Sequence, residues 1–82
     1  MPHYVYIIQS LKDNRYYIGE TRNADERLIF HNSGKQRSTK NRIPFRAILV
    51  EEYLNREEAL KREKQIKSWK GGHAFQKLIK GM

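Results

Sequence analysis

The stretch Arg15 to His31, RYYIGETRNADERLIFH, runs from aromatic and β-branched residues through a glycine and a polar turn into a short amphipathic segment. Arg15–Glu20 has the composition of a strand. Asn23 can cap a helix through ADERLIFHN, with Asp25 and Glu26 in its first turn and Gly34 as its stop. The segment upstream, HYVYIIQ at 3–9, reads as another strand, and LKDN between the two supplies turn chemistry, so the first unit is a hairpin.

Further along, KQRSTKNRIPF at 35–45 is polar and basic and reads as an exposed, mobile loop. RAILVEEY follows as a third strand. Asn55 then offers a cap for a helix carrying Glu57 and Glu58 at its positive end, running to about Trp69 and stopping at Gly71-Gly72. HAFQKLIK adds a final helical turn or two. The order ββαβαα predicts one α+β domain over residues 1–82, with a small three-stranded antiparallel or mixed sheet flanked by helices.

Composition narrows the function classes. At 82 residues the core must be thin and deep enclosed pockets are not expected. The absence of cysteine excludes disulfides and thiolate metal clusters and fits a reducing cytoplasm. The longest apolar run, YVYII, is far short of a membrane span, and no basic-then-apolar leader precedes it, so a soluble cytoplasmic protein is expected.

The net charge of +8 is unevenly spread. Residues 1–34 are balanced, 35–46 carry five basic groups and no acidic one, 47–60 sum to −3, and 61–82 sum to +6. Two basic blocks interleaved with Phe45, Trp69 and Phe75 suit a polyanion, where each neutralised phosphate releases counterions. Lys35, Arg37, Lys40, Arg42 and Arg46 from the first block, with Lys67 and Lys70 from the second, are the candidate nucleic-acid contacts. A broad apolar helix face is missing from both blocks, which argues against an anionic membrane.

Side-chain directions give the candidate chemistry. With an even-numbered hairpin loop, opposed residues have numbers of odd sum, so Tyr6 and Tyr17 share a sheet face with Tyr4, Ile8 and Gly19. Gly19, at the end of its strand, lets another group approach the backbone. Arg27 and His31, four apart, project from one helix stripe, an arrangement suited to an oxyanion. On the long helix Ala59, Leu60, Ile66 and Trp69 define an apolar arc, and Glu63 falls inside it. An inward carboxylate must meet a cation, a metal or donors, or reach the domain edge. An ion pair with Arg27, or a helix-surface pair with Lys67, is the plain reading, and on the residues alone it stands level with a functional role.

Taken in order, Tyr4-Val5-Tyr6, Tyr17-Ile18-Gly19, Arg27, His31 and the Glu63 of EALKREKQIK resemble the GIY-YIG nuclease superfamily, in particular its small single-domain bacterial members. The likeness covers nearly the whole chain. It implies a divalent-metal-dependent endonuclease acting on DNA, with relatives in repair and recombination. It further implies that Tyr17 activates or positions the attacking water, Tyr6 supports it, Arg27 steadies the scissile phosphate, His31 contacts phosphate or relays a proton, and Glu63 holds a single Mg²⁺ or Mn²⁺. A free phenol is only about 0.1% ionised at pH 7, so Tyr17 needs nearby positive charge to act as a base.

Three departures qualify the likeness. The leading glycine of the first motif is absent. Glu20 follows YIG, where the excision-repair subunit has a lysine. No separate DNA-binding domain is expected, so affinity and specificity would fall to the basic segments, alone or with a partner protein. Two competing classes are a non-catalytic module whose sheet tyrosines stack on single-stranded DNA or RNA, and a scaffold that keeps the fold without activity.

Overall fold

The computed structural model describes residues 2–80 and has the expected ββαβαα order. Strand β1 spans His3–Ser10, β2 Tyr16–Thr21 and β3 Phe45–Tyr53; helix α1 spans Ala24–Asn32, α2 Arg56–Trp69 and α3 His73–Ile79. The sheet is antiparallel throughout, in the order β2-β1-β3, which makes β2 an edge strand.

Local chemistry sets the ends of these elements. Asn14 takes the left-handed conformation, φ 64°, that a tight turn requires, and the Asn14 amide donates to the Ser10 carbonyl at 2.9 Å. Side chains of Asn23 and Asn55 accept from the amides of Glu26 and Glu58 at 3.0 and 2.9 Å, capping α1 and α2 as their sequences require. Gly34, φ 79°, lies just past the end of α1.

The sheet has a different helix layer on each face. Val5 and Ile7 of β1, with Ile18 and Leu49, pack against Ala59 and Ile66 of α2 and Phe75 of α3. Tyr6 and Ile8 face the other way, onto Leu28 of α1 and Phe45. A β-bulge between Ile7 and Ile8 shifts the register so that Ser10 pairs with Phe45; an unbroken ladder would present Arg46 there. The bulge thus turns an aromatic ring, in place of a cation, onto the Tyr6 face.

Two expectations need correction. Leu60 is 38% exposed and lies outside the buried stripe of α2, which is formed by Ala59 and Ile66 with Trp69 packed beside them. The segment 35–45 is not wholly exposed either. It contains a 3-10 turn at Lys40–Arg42, and Thr39 is 1% exposed because its hydroxyl has partners inside.

Candidate active site

Pairing of Tyr6 with Gly19, and of Ile8 with Tyr17, puts both tyrosines on the α1 face of the sheet. The Tyr6 ring lies directly over Gly19: a Cβ there would fall 2.5 Å from Tyr6 Cζ, closer than real Cβ contacts come. Glycine therefore serves here by the space it leaves. The same ring is 6% exposed, so it cannot offer a stacking surface to bases.

Helix α1 brings Arg27 and His31 to the far end of that ring. Arg27 Nε donates to Tyr6 Oη at 3.4 Å, and its guanidinium lies 5.3 Å from the Phe30 ring centre. His31 Nε2 is 3.2 Å from the same oxygen, while His31 Nδ1 is 3.1 Å from Thr39 Oγ1. Burial, and then the Arg27 cation, hold the His31 imidazole below its usual value of 6.5, so the ring is neutral at pH 7. Tyr6, Arg27 and His31 form one hydrogen-bonded cluster.

Tyr17 sits in an adjoining cluster. Arg42 Nη1 donates to its hydroxyl, the Lys70 ammonium lies 5.7 Å from its ring centre, and Phe45 meets the ring edge-on at 5.4 Å. Arg42, expected as a surface contact to nucleic acid, is half-buried and also paired with Asp13 at 3.2 Å, so it belongs to the site's framework. A cleft of about 490 Å³ opens beside Tyr17, lined also by Arg15, Arg42, Lys70 and Gln76.

Glu63 does not touch these groups. It belongs to α2, on the opposite face, and its partner is Lys67 at 3.8 Å. Its position on the helix is nevertheless informative. Arg56, Glu63 and Lys70 are seven apart and so share one stripe. Arg56 reaches Glu20 at 3.5 Å and Lys70 Nζ donates to the Tyr16 carbonyl at 2.8 Å, both on β2. Glu63 stands between them, on the flank of α2 turned toward the edge strand that carries Tyr17. The other flank is fixed by Arg62, which donates to both Glu51 oxygens of β3 at 2.8 and 3.1 Å and lies over Trp69.

Glu20, the acid after YIG, points to the α2 face, where it meets His3 Nδ1 at 2.5 Å and the Arg56 guanidinium at 3.5 Å. It therefore adds no anion to the Tyr17 side. Lys35, Arg37 and Lys40 are exposed, as is Arg46, which donates to Gln9. Among the described residues no three His, Cys, Asp or Glu side chains cluster as metal ligands, and no helix is long and apolar enough to cross a membrane.

Sequence reasoning missed three polar residues that hold the site together. Thr39 contacts His31. Asn32 clamps the backbone of Phe45, accepting from its amide at 2.6 Å and donating to its carbonyl at 3.0 Å. Ser10, fully buried, donates to the Arg42 carbonyl at 2.5 Å. Their composition is that of any surface loop, and their partners are 8, 13 and 32 residues away.

Comparison with known proteins agrees with this arrangement. Residues 2–77 match the model of the GIY-YIG catalytic domain. A UPF0213 protein of Staphylococcus haemolyticus is 41% identical over 68 residues, 82% of each chain, and one of Oceanobacillus iheyensis is 39% identical over 66 residues, 79% of this chain and 76% of that one. The solution NMR structure of a UPF0213 protein from Bacillus halodurans superposes with a TM-score of 0.61 at 34% identity, covering 98% of this chain and 84% of that chain. With its two tyrosines, its glycine and the arginine–histidine pair on one sheet face, the chain belongs to the GIY-YIG family.

Proposed function

We propose that this protein is a divalent-metal-dependent endonuclease that hydrolyses DNA phosphodiester bonds, in the cytoplasm and in the service of repair or recombination. The observation that carries this reading is the Tyr6–Arg27–His31 cluster seated over Gly19, with Tyr17 on the same face and Glu63 on the helix flank beside the strand that bears Tyr17. Membership of the family supports it.

The side chains divide the work. Among the described residues Arg27 gives only Nε to a hydrogen bond, with Tyr6, which leaves its Nη groups to hold a non-bridging phosphate oxygen. Tyr17 positions the attacking water and, as the phenolate, takes its proton at Oη to become the neutral phenol; the Arg42 and Lys70 cations stand beside the oxygen and the ring that carry that negative charge. Neutral His31 orients Tyr6, which in turn holds Arg27 in place. The exposed cations Lys35, Arg37, Lys40 and Arg46 track the backbone of the polyanion, and a partner protein can add specificity.

The donor set fits a hard, hydrated ion. Glu63 is the one carboxylate on the flank between Arg56 and Lys70, with 19% of its side chain exposed, and Mg²⁺ or Mn²⁺ commonly takes one or two carboxylates, several waters and the substrate's own phosphate oxygens. When bound by Glu63, the ion would supply charge stabilisation at the phosphate.

The test is to incubate the purified protein with supercoiled and branched DNA and Mg²⁺ or Mn²⁺. Cutting is expected, is abolished by EDTA, and falls by about 100-fold or more in Tyr17→Phe and Glu63→Ala. Cutting undiminished in either variant refutes the assignment. Retention of oligonucleotide in EDTA, with no change in its length under any condition, would identify a binding module instead.

A further inference from the structure

The cleft beside Tyr17 has a chemistry of its own. The hairpin turn, β2, the 3-10 turn and the corner between α2 and α3 meet around it, and its volume of about 490 Å³ lies within the roughly 300–1,000 Å³ of small-molecule sites. Its charge is one-sided. Arg15, Arg42 and Lys70 line it, and no carboxylate does. Asp13, nearby on the turn, is engaged with Arg42 at 3.2 Å. Among the described residues Arg15 and Lys70 form no ion pair, and the Lys70 ammonium donates to the Tyr16 carbonyl at 2.8 Å. A guanidinium and an ammonium thus face one open space with no anion between them, which suits a phosphate group.

The rest of the wall offers more than an anion needs. The rings of Tyr16 and Tyr17 are half-buried and held edge-on from within, by Phe75 at 5.3 Å and by Phe45 at 5.4 Å, so they are fixed surfaces. Asn14 and Gln76 bring two exposed carboxamides, each both donor and acceptor. Aromatic surface beside carboxamides matches a nucleobase, with its flat apolar faces and its polar edge. Position along β2 then relates the cleft to the reacting groups. Tyr16 lies three residues from Gly19, the residue under the Tyr6 ring, or about 10 Å along the strand. The cleft therefore adjoins the Tyr6–Arg27 cluster and does not coincide with it.

We propose that this cleft binds one nucleotide of the DNA strand, next to the scissile linkage, with Arg15 and Lys70 on its phosphate and its base against Tyr16 and Gln76. The place beside the scissile linkage rests on the nuclease reading; the affinity for a nucleotide does not. The same chemistry would recognise a free nucleotide, so the experiment separates the two sources.

Nitrogen-labelled protein in EDTA is titrated with a deoxynucleoside 5′-monophosphate, with deoxyribose 5-phosphate and with inorganic phosphate, following the backbone amides of Arg15, Tyr17 and Gln76 by NMR. The nucleotide is expected to bind about 10-fold or more tightly than either base-free probe and to move these amides first. Arg15→Ala is expected to weaken all three probes, and Gln76→Ala the nucleotide alone; both side chains are exposed, so both variants keep the fold. A nucleotide bound no more tightly than inorganic phosphate, or shifts confined to other surfaces, overturns the proposal. A short oligonucleotide is expected to displace the nucleotide from the cleft; one that binds with the nucleotide still in place overturns the assignment to the DNA strand. In the cleavage assay Arg15→Ala is expected to raise KM by about 10-fold, and an unchanged KM overturns the part of the cleft in holding substrate. Wild-type protein that cuts no DNA refutes the nuclease reading, and the titration alone then decides whether the cleft takes a nucleotide.

Discussion

Gly19→Ala is a one-carbon change with a consequence that can be worked out. The new methyl group would lie 2.3 Å from Tyr6 Oη, 2.5 Å from Cζ and 2.8 Å from Cε1. Tyr6 cannot swing aside cheaply, because it is 6% exposed, packed against Ile8 and Phe45, and bonded at Oη to both His31 and Arg27. Forcing an extra methyl into a filled site costs about 1–3 kcal/mol. Losing the bond to His31, together with the longer and weaker one to Arg27, adds about 1 kcal/mol in all. Together these destabilise the fold by about 2–4 kcal/mol, a large share of the roughly 4–12 kcal/mol expected for a domain of this size. The assay is urea unfolding followed by circular dichroism, where the midpoint should fall with the slope unchanged, and the thermal midpoint should drop by about 10–25 °C. Backbone strain plays no part, since Gly19 is not among the positive-φ residues. An alanine variant within about 0.5 kcal/mol of wild type, with the Tyr6–His31 bond intact, would refute the claim that this glycine exists to admit the ring.

Three further outcomes are expected. The lowered pKa of His31 means that the unfolded chain binds its proton first; the contribution to stability is complete above pH 6.5 and is lost as pH falls from there through the folded value, so His31→Gln should flatten the stability slope below pH 6.5. Asn32→Ala removes both bonds to the Phe45 backbone and should cost about 1–2 kcal/mol by urea titration, whereas Asn32→Asp, which keeps the acceptor for the Phe45 amide, should cost less. Replacing Lys35, Arg37 and Lys40 with alanine should weaken DNA binding evenly across sequences and reduce the slope of log affinity against log salt by about 0.9 per cation removed, while Arg42→Ala should also disturb Tyr17 and so exceed that increment.

Element types, caps and the shared face of Tyr6 and Tyr17 could be read from the chain because they rest on short-range rules. Alternation by two fixes which strand residues face together, and Asn23 and Asn55 cap through amides three residues away. The same rules placed Arg27 beside His31 one helical turn apart. The periodicity of α2 erred at Leu60 because the apolar arc was centred on composition, whereas the helix turns by its contacts to β2 and β3.

Arg15–His31 dictated the strand, the cap and the arginine–histidine pair, since each follows from backbone geometry within a few residues. The bulge that turns Phe45 onto the tyrosine face, the burial of Thr39 under His31, the recruitment of Arg42 to Tyr17 and the contacts of Arg56 and Lys70, which share a helix stripe with Glu63, to the edge strand came only with the packed molecule. These contacts join segments far apart in the chain, and a polar residue in a loop carries no local mark of the partner that will satisfy it once water has been excluded.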